Sequence, residues 1–291
     1  MEDIILEAQN LHYTYPDGTH ALKDISVKIK RGQKIAVLGS NGAGKSTLFL
    51  NFNGVLRPQS GKLLFREREV QYKHSVLCEL RKSVGIVFQD PDSQLFSASV
   101  YQEVSFGAMN LHLPEDVVCR RVDDALCGTD ILNLRDKATH FLSYGEKKRV
   151  SIADILVMQP EIIIFDEPTA CLDPKNTLQI MELFNALNKA GTTLIMSTHD
   201  VEVVWAWADE VLILKNGRLE GAGSPEHVFA DEKLLHPTGI EKPLVMAVYE
   251  KLVACGVIKK HAHPPKTKEE LFEVIEHGES LPQSHCFRSV A

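Results

Sequence analysis

The residues Gly39-Ser40-Asn41-Gly42-Ala43-Gly44-Lys45-Ser46 carry the spacing G-x-x-x-x-G-K-[ST] without a gap. Such a turn does chemistry because glycine tolerates backbone conformations that aim successive N–H groups inward, at phosphate oxygens. Lys45 can reach the β- and γ-phosphates and the Ser46 hydroxyl can ligate Mg²⁺. Thr47 follows at the start of a helix, whose N-terminus adds partial positive charge. An ordinary glycine turn between a strand and a helix is the plain alternative. The apolar run Ile35-Ala36-Val37-Leu38 in front and the Lys-Ser pair behind favour a nucleotide.

A second stretch, Ile162-Ile163-Ile164-Phe165, is a short apolar run that ends in Asp166 and Glu167. The expected neighbour of this strand is the one carrying the glycine turn. Asp166 would then stand near the magnesium, through water. Glu167, one residue further on, would orient or deprotonate an attacking water. Solvated acids at a strand end are the alternative.

These groups need a layered scaffold. Residues 4–13 read as a strand, Tyr15-Pro16-Asp17-Gly18 as a turn, and 21–29 as a half-exposed strand alternating through Leu22, Ile25, Val27 and Ile29. Arg31-Gly32 closes that hairpin and feeds the core strand before the glycine turn. Short apolar strands over 84–88, 162–165 and 193–197 are separated by helical patterns, which indicates an α/β domain with parallel strands. From about 91 to 158 strand signals are few. Amphipathic helices over 117–127 and 146–158 read as an inserted helical subdomain. A helix through Val201, Val204 and Trp205, a strand over 210–215 and an Asn216-Gly217 hairpin follow. Beyond Ser224, Pro225, Pro237, Pro243, Pro264 and Pro265 punctuate short helices, notably 266–277, and 278–291 are expected to be loose.

With 44% apolar and 24% charged residues the chain has an ordinary globular composition. No apolar run approaches the roughly 20 residues of a membrane helix. The acidic N-terminus lacks the pattern of a secretory signal, so a cytosolic protein is expected, touching a membrane only through a partner. Six cysteines without a C-x-x-C pair read as reduced thiols. A net charge of -7 argues mildly against nucleic acid as a partner.

Leu142-Ser143-Tyr144-Gly145-Glu146-Lys147-Lys148-Arg149 resembles the L-S-G-G-Q signature of the ABC-type ATPases, and the chain is similar to that family, in order, over residues 4 to about 222. The resemblance implies a P-loop NTPase core with an antiparallel β subdomain and the inserted helical subdomain. It places an ABC ATPase domain at 1–223 and a small extension at 224–291 that is expected to help hold a dimer. Gln89 would be the Q-loop glutamine and a magnesium ligand, and His199 the switch histidine. Asp173 would belong to the D-loop, and Tyr15 would stack on adenine. The implied catalytic set is Glu167, His199 and Gln89, and the implied cofactors are ATP and Mg²⁺, the latter held by Ser46, Gln89 and Asp166. Ser143 and Gly145, at the start of a helix near Glu146, would close over ATP held by the glycine turn of a second copy or a close paralogue. Tyr144, Glu146 and Ala170 depart from the family pattern, while the Ser143/Gly145 pair is intact.

The stretches Tyr13-Thr14-Tyr15-Pro16-Asp17-Gly18-Thr19, Leu48-Phe49-Leu50-Asn51-Phe52-Asn53-Gly54 and Phe88-Gln89-Asp90-Pro91-Asp92-Ser93-Gln94-Leu95-Phe96 resemble the energy-coupling-factor ATPases, most of all the cobalt-uptake branch. This implies a subunit on the cytoplasmic face of the membrane, partnered with integral-membrane coupling and substrate-binding subunits. It would energise import of a transition-metal ion, cobalt favoured. A nickel, biotin or other vitamin transporter is the alternative, and a non-transport ABC ATPase the remote one. Asp92, Gln94, Leu95 and Phe96 are the implied groove for a coupling helix, with subdomain core as the alternative for Leu95 and Phe96. His261 and His263, ahead of two prolines, read as a solvated tail rather than a metal site.

Overall fold

The computed structural model describes residues 3–261 and 263–277. Strands β1 (Ile4–Thr14) and β2 (His20–Lys30) form an antiparallel hairpin in which Ile25, Val27 and Ile29 turn inward while Asp24, Ser26 and Lys28 face out. β3 (Lys34–Leu38) leads into the glycine turn and helix α1 (Lys45–Phe52). Two strands not foreseen from the sequence follow, β4 (Ser60–Phe65) and β5 (Arg68–Glu69). Pairing of β4 with β1 completes a four-stranded antiparallel sheet of order β2-β1-β4-β5. Helix α2 (His74–Ser83) returns the chain to β6 (Val84–Val87). The helical subdomain is α3 (Val100–Met109), α4 (Glu115–Gly128) and α5 (Tyr144–Leu156). Its core is built from Val100, Val104, Val122, Leu126, Val150 and Ala153. Then come β7 (Ile162–Phe165), α6 (Pro174–Lys189), β8 (Thr193–Ser197), α7 (Val201–Trp207) and the hairpin β9 (Glu210–Lys215) and β10 (Arg218–Gly223). Helices α8 (Pro225–Ala230), α9 (Glu232–Thr238), α10 (Leu244–Ala254) and α11 (Lys268–His277) end the described chain. The stretch 278–291, expected to be loose, lies outside the described residues.

The second sheet has the order β10-β9-β3-β8-β7-β6, parallel except for the β9–β10 hairpin. This corrects the expected pairing of the Asp166 strand with the phosphate-loop strand. Both edges of β3 are taken, with Ile35 level with Ile195 of β8 and with Glu210 of β9, and β8 separates β3 from β7. Asp166 still reaches the turn, because parallel strands deliver their C-terminal ends to one edge of the sheet, where ligands bind in such folds.

Alternation along the strands gives the sheet two buried faces. Ile35, Val37, Ile162, Ile164 and Ile195 face the antiparallel sheet and α1. Ala36, Leu38, Ile163, Phe165 and Met196 face α6 and α7, where Phe165 stacks on Phe184 with centroids 3.9 Å apart. Val228 and Phe229 of α8 are buried in this same layer, so the chain just past Gly223 packs on the ATPase core. The last helices form their own small core of Tyr249, Ile258, Leu271 and Val274. His261, Pro265 and Lys266 are tied down rather than belonging to a solvated tail, while His263 is exposed. The His261 N–H donates to Tyr249 Oη at 2.6 Å and Trp205 Nε1–H donates to Pro265 O at 2.9 Å. Lys266 Nζ lies 3.9 Å over the Trp205 ring. Among the described residues no helix is long and apolar enough to cross a membrane.

Candidate functional site

The glycine turn sits where the end of β3 meets α1, and its shape is enforced by close neighbours. A Cβ at Gly39 would stand 2.4 Å from Leu214 O, and one at Gly44 would stand 2.6 Å from Ala21 O. Gly44 (φ +106) is also the N-cap of α1, with no side-chain cap and no acid in the first turn, so the first helical N–H groups are open to an anion. Ser40, Asn41 and Gly42 form an exposed rim, while Ala43 is buried and its N–H donates to Ser40 O at 3.0 Å.

Around the turn, the side chains expected from the sequence converge. Lys45 is buried; its Nζ donates to Gly39 O at 2.6 Å and lies 3.6 Å from Glu167 Oε1. The Ser46 hydroxyl donates to Asp166 Oδ2 at 2.6 Å. Glu167 Oε1 is 2.7 Å from His199 Nε2, and its Oε2 accepts from Gln89 Nε2 at 3.4 Å. One carboxylate therefore meets groups from the glycine turn, the end of β6 and the end of β8. Glu167 has φ 46, the left-handed region that costs a non-glycine residue energy. Tyr15 stands beside α1, its hydroxyl 3.0 Å from Thr47 Oγ1 and its ring edge-on to Tyr13 with centroids 5.1 Å apart.

Ser143, Gly145 and Asp173 are not part of this cluster. They line a separate groove of about 430 Å³ with Glu146, Cys171 and Asn176, and residues 39–47 take no part in its lining. Ser143 is the N-cap of α5 in a reciprocal capping box: its Oγ accepts the Glu146 N–H at 3.3 Å and Glu146 Oε2 accepts the Ser143 N–H at 2.7 Å. That backbone bond, together with Lys137 at 3.3 Å, holds the Glu146 carboxyl below the usual carboxylate range. Glu146, a departure from the signature pattern, thus acts as a helix cap. Asp173 caps α6, accepting the Asn176 N–H at 2.8 Å, and this lowers its carboxyl too.

Three contributors were missed in the sequence. The Ser197 hydroxyl donates to Asp166 Oδ1 at 2.6 Å and accepts the Glu167 N–H at 2.9 Å. Lys148 is fully buried, and its Nζ donates to Phe88 O at 3.0 Å and Gln89 O at 2.6 Å. Burial pulls its ammonium down to about 8, against the opposing pull of Asp166, Asp90 and Glu167. Tyr144 Oη donates to Gln89 O at 3.2 Å. The available signal was the four-residue spacing of Tyr144 and Lys148, which puts both on one helix face.

The segment after Gln89 divides. Asp92 is exposed and pairs with Lys147 at 2.6 Å. Gln94 Nε2 donates inward, to Ser151 O at 2.9 Å and Asp154 Oδ2 at 3.1 Å. Burial pushes the Asp154 carboxyl up to about 7, which the Gln94 bond opposes and Glu103 reinforces. Leu95 packs on the helical core, whereas Phe96 is exposed and meets Phe106 edge-on at 5.0 Å, with Met109 also exposed.

Comparison with known proteins places this geometry. The family model described as ABC transporter matches residues 22–170. An energy-coupling factor transporter ATP-binding protein, EcfA3 of Clostridium perfringens, is 52% identical over 246 residues, 84% of this chain and 86% of the relative. The EcfA protein of Methanocaldococcus jannaschii is 46% identical over 246 residues, 84% and 88% of the two chains. Among solved structures, cbiO1 from Clostridium perfringens, described as part of the ABC transporter complex cbiONQ, is 53% identical with a TM-score of 0.73 over 81% of this chain and 94% of that one. A dimeric ATP-binding cassette in a post-hydrolysis state, bound to ADP and Pi, is 26% identical with a TM-score of 0.70, covering 76% and 99%.

Proposed function

This chain belongs to the ABC transporters, as an energy-coupling-factor ATP-binding subunit whose ATP hydrolysis is coupled to transport, and from that premise we propose that its cargo is a transition-metal ion, cobalt favoured. The observation that supports cobalt is the 53% identity to a subunit of the cbiONQ complex, taken with the stretches around Tyr15, Asn51 and Gln89. Nickel, biotin and vitamin transporters of the same type remain the competing cargoes.

The observation that supports the catalytic reading is the junction at Glu167. Its carboxylate faces Lys45, Gln89 and His199 at hydrogen-bond or ion-pair distance. In our reading Lys45 and the turn N–H groups hold the β- and γ-phosphates of MgATP. The Ser46 hydroxyl and the Asp166 carboxylate are adjacent hard oxygens, fit for a magnesium that keeps its phosphate and water ligands. Gln89 completes that set. Glu167 takes a proton from the attacking water, His199 holds the carboxylate in place and contacts the γ-phosphate, and Tyr15 stacks on the adenine.

The groove of Ser143, Gly145 and Asp173 would supply the second half of the site to another copy or a paralogue in a head-to-tail dimer. The last helices would add contacts to that dimer. The exposed Phe96, Phe106 and Met109 form an apolar spot suited to a coupling helix of an integral-membrane subunit, with the ATPase peripheral on the cytoplasmic face.

Co-expression with membrane subunits, followed by uptake of radioactive cobalt and nickel into cells, tests the reading. Cobalt uptake that needs both ATP hydrolysis and this chain is the expected result. Uptake of neither metal, with vitamin uptake instead, would move the cargo to the alternative.

A further inference from the structure

Helix α5 grips the segment after β6 along one face. Tyr144, Lys147, Lys148, Ser151 and Asp154 follow the spacing that stacks side chains on one side of a helix. Each of the five touches 88–94: Tyr144 and Lys148 through the Gln89 carbonyl, Lys147 through Asp92, and Ser151 and Asp154 through Gln94. The densest point is the Gln89 carbonyl, which accepts from Lys148 Nζ at 2.6 Å and from Tyr144 Oη at 3.2 Å, while Phe88 O accepts a further bond from Lys148 at 3.0 Å.

A carbonyl held by two donors fixes the peptide plane that follows Gln89, and so fixes the direction in which the Gln89 side chain leaves the backbone. That side chain points at Glu167, with Nε2 3.4 Å from Oε2. Lys148 is 0% exposed and is the only ammonium on those two carbonyls among the described contacts, so nothing in the solvent replaces it. We propose that Tyr144 and Lys148 are positioning residues for hydrolysis: a two-pronged clamp from the signature helix that aims Gln89 at Glu167 and the γ-phosphate. Tyr144, which stands where the signature pattern has glycine, supplies one prong of the clamp and Lys148 the other. The inference rests on the catalytic reading of Gln89 given above.

The clamp joins the two half-sites of one chain. Ser143 caps the same helix whose next turn holds Gln89. A shift of Gln89 on nucleotide binding is then a shift of the signature helix, through bonds rather than through a hinge. The phosphate loop has its own contacts, so loss of the clamp should change turnover and leave nucleotide binding in place.

The test uses the full chain as a purified ATPase and separates ATP affinity, read with a fluorescent nucleotide, from kcat. Tyr144→Phe and Lys148→Met should each lower kcat, by roughly 10-fold for Lys148→Met, with Kd for ATP within about 2-fold of the parent. Tyr144→Phe is the safeguard should Lys148→Met fold poorly, since it removes a single hydroxyl. In a Gln89→Ala background, Lys148→Met should cost no further turnover, because the group being aimed is gone. An equal loss of kcat in both backgrounds would mean Lys148 is merely structural and would overturn the clamp. Unchanged kcat in Tyr144→Phe and Lys148→Met, with Gln89→Ala impaired, would overturn the clamp and leave the role of Gln89 standing. Unchanged kcat in Gln89→Ala would overturn both.

Discussion

The Ser197 hydroxyl donates to Asp166 Oδ1 across 2.6 Å and, with its lone pair, takes the N–H of the next residue, Glu167. One small side chain at the end of β8 thereby orders both acids at the end of the neighbouring β7. Ser197→Ala should leave those groups short of a partner in a buried place. We expect kcat to fall by roughly 10-fold and stability by about 1–2 kcal/mol, with ATP affinity little changed. A variant that turns over like the parent would show that Asp166 and Glu167 are ordered without it.

Glu167→Gln keeps the shape of the side chain and removes its basicity. Hydrolysis should drop by on the order of 100-fold or more while ATP stays bound. With the nucleotide uncleaved, the two-copy assembly should persist, so size-exclusion chromatography with ATP should show a dimer. A monomer under those conditions would count against the head-to-tail arrangement.

Lys45→Ala removes the cation that lies between the Gly39 carbonyl and Glu167. Nucleotide binding should be lost at concentrations that saturate the parent. An undiminished affinity, measured by calorimetry, would remove the phosphate-loop assignment.

Asp154 offers a pH-dependent signature in the helical subdomain. Its carboxyl is raised to about 7 in the folded chain, from an ordinary 3.8. Between those values the unfolded chain has given up the proton and the folded chain keeps it, so this group's contribution to stability falls as pH rises from about 4 to about 7 and then levels off. Asp154→Asn cannot ionise and can still accept from Gln94. It should therefore exceed the parent in stability at pH 8 by on the order of 1–3 kcal/mol, and the gap should narrow toward pH 5. Melting curves at the two pH values check this, and a gap that widens on acidification would contradict it.

How far the sequence could be read depended on where each function is encoded. The phosphate turn was legible because its chemistry needs glycines and a lysine at set positions in a continuous stretch. Glu167, His199 and Gln89, which the family resemblance singled out, each follow a short apolar strand and lie within contact of one another in the fold. The order of those strands was not legible: the runs at β3, β6, β7 and β8 are alike in length and in apolar character, and nothing in them says which two are neighbours. β4 escaped because Leu63 is its one fully buried residue, which leaves no alternation to see. Lys148 escaped because a lysine in Lys147-Lys148-Arg149 reads as a solvated charge run, while in the fold it lies under the backbone at Phe88 and Gln89.

The glycine turn is continuous in the chain, yet the walls that shape it come from elsewhere. Leu214 O stands against Gly39, Ala21 O against Gly44, and the Gly217 N–H holds Ala43 O at 3.0 Å. A chain growing from its N-terminus has every residue of the turn well before Leu214 and Gly217 exist. It therefore owns the text of a nucleotide site long before it owns the site, and a truncation ahead of β9 would keep the motif and lose its mould. Nucleotide capture in this protein is a mark of a finished domain.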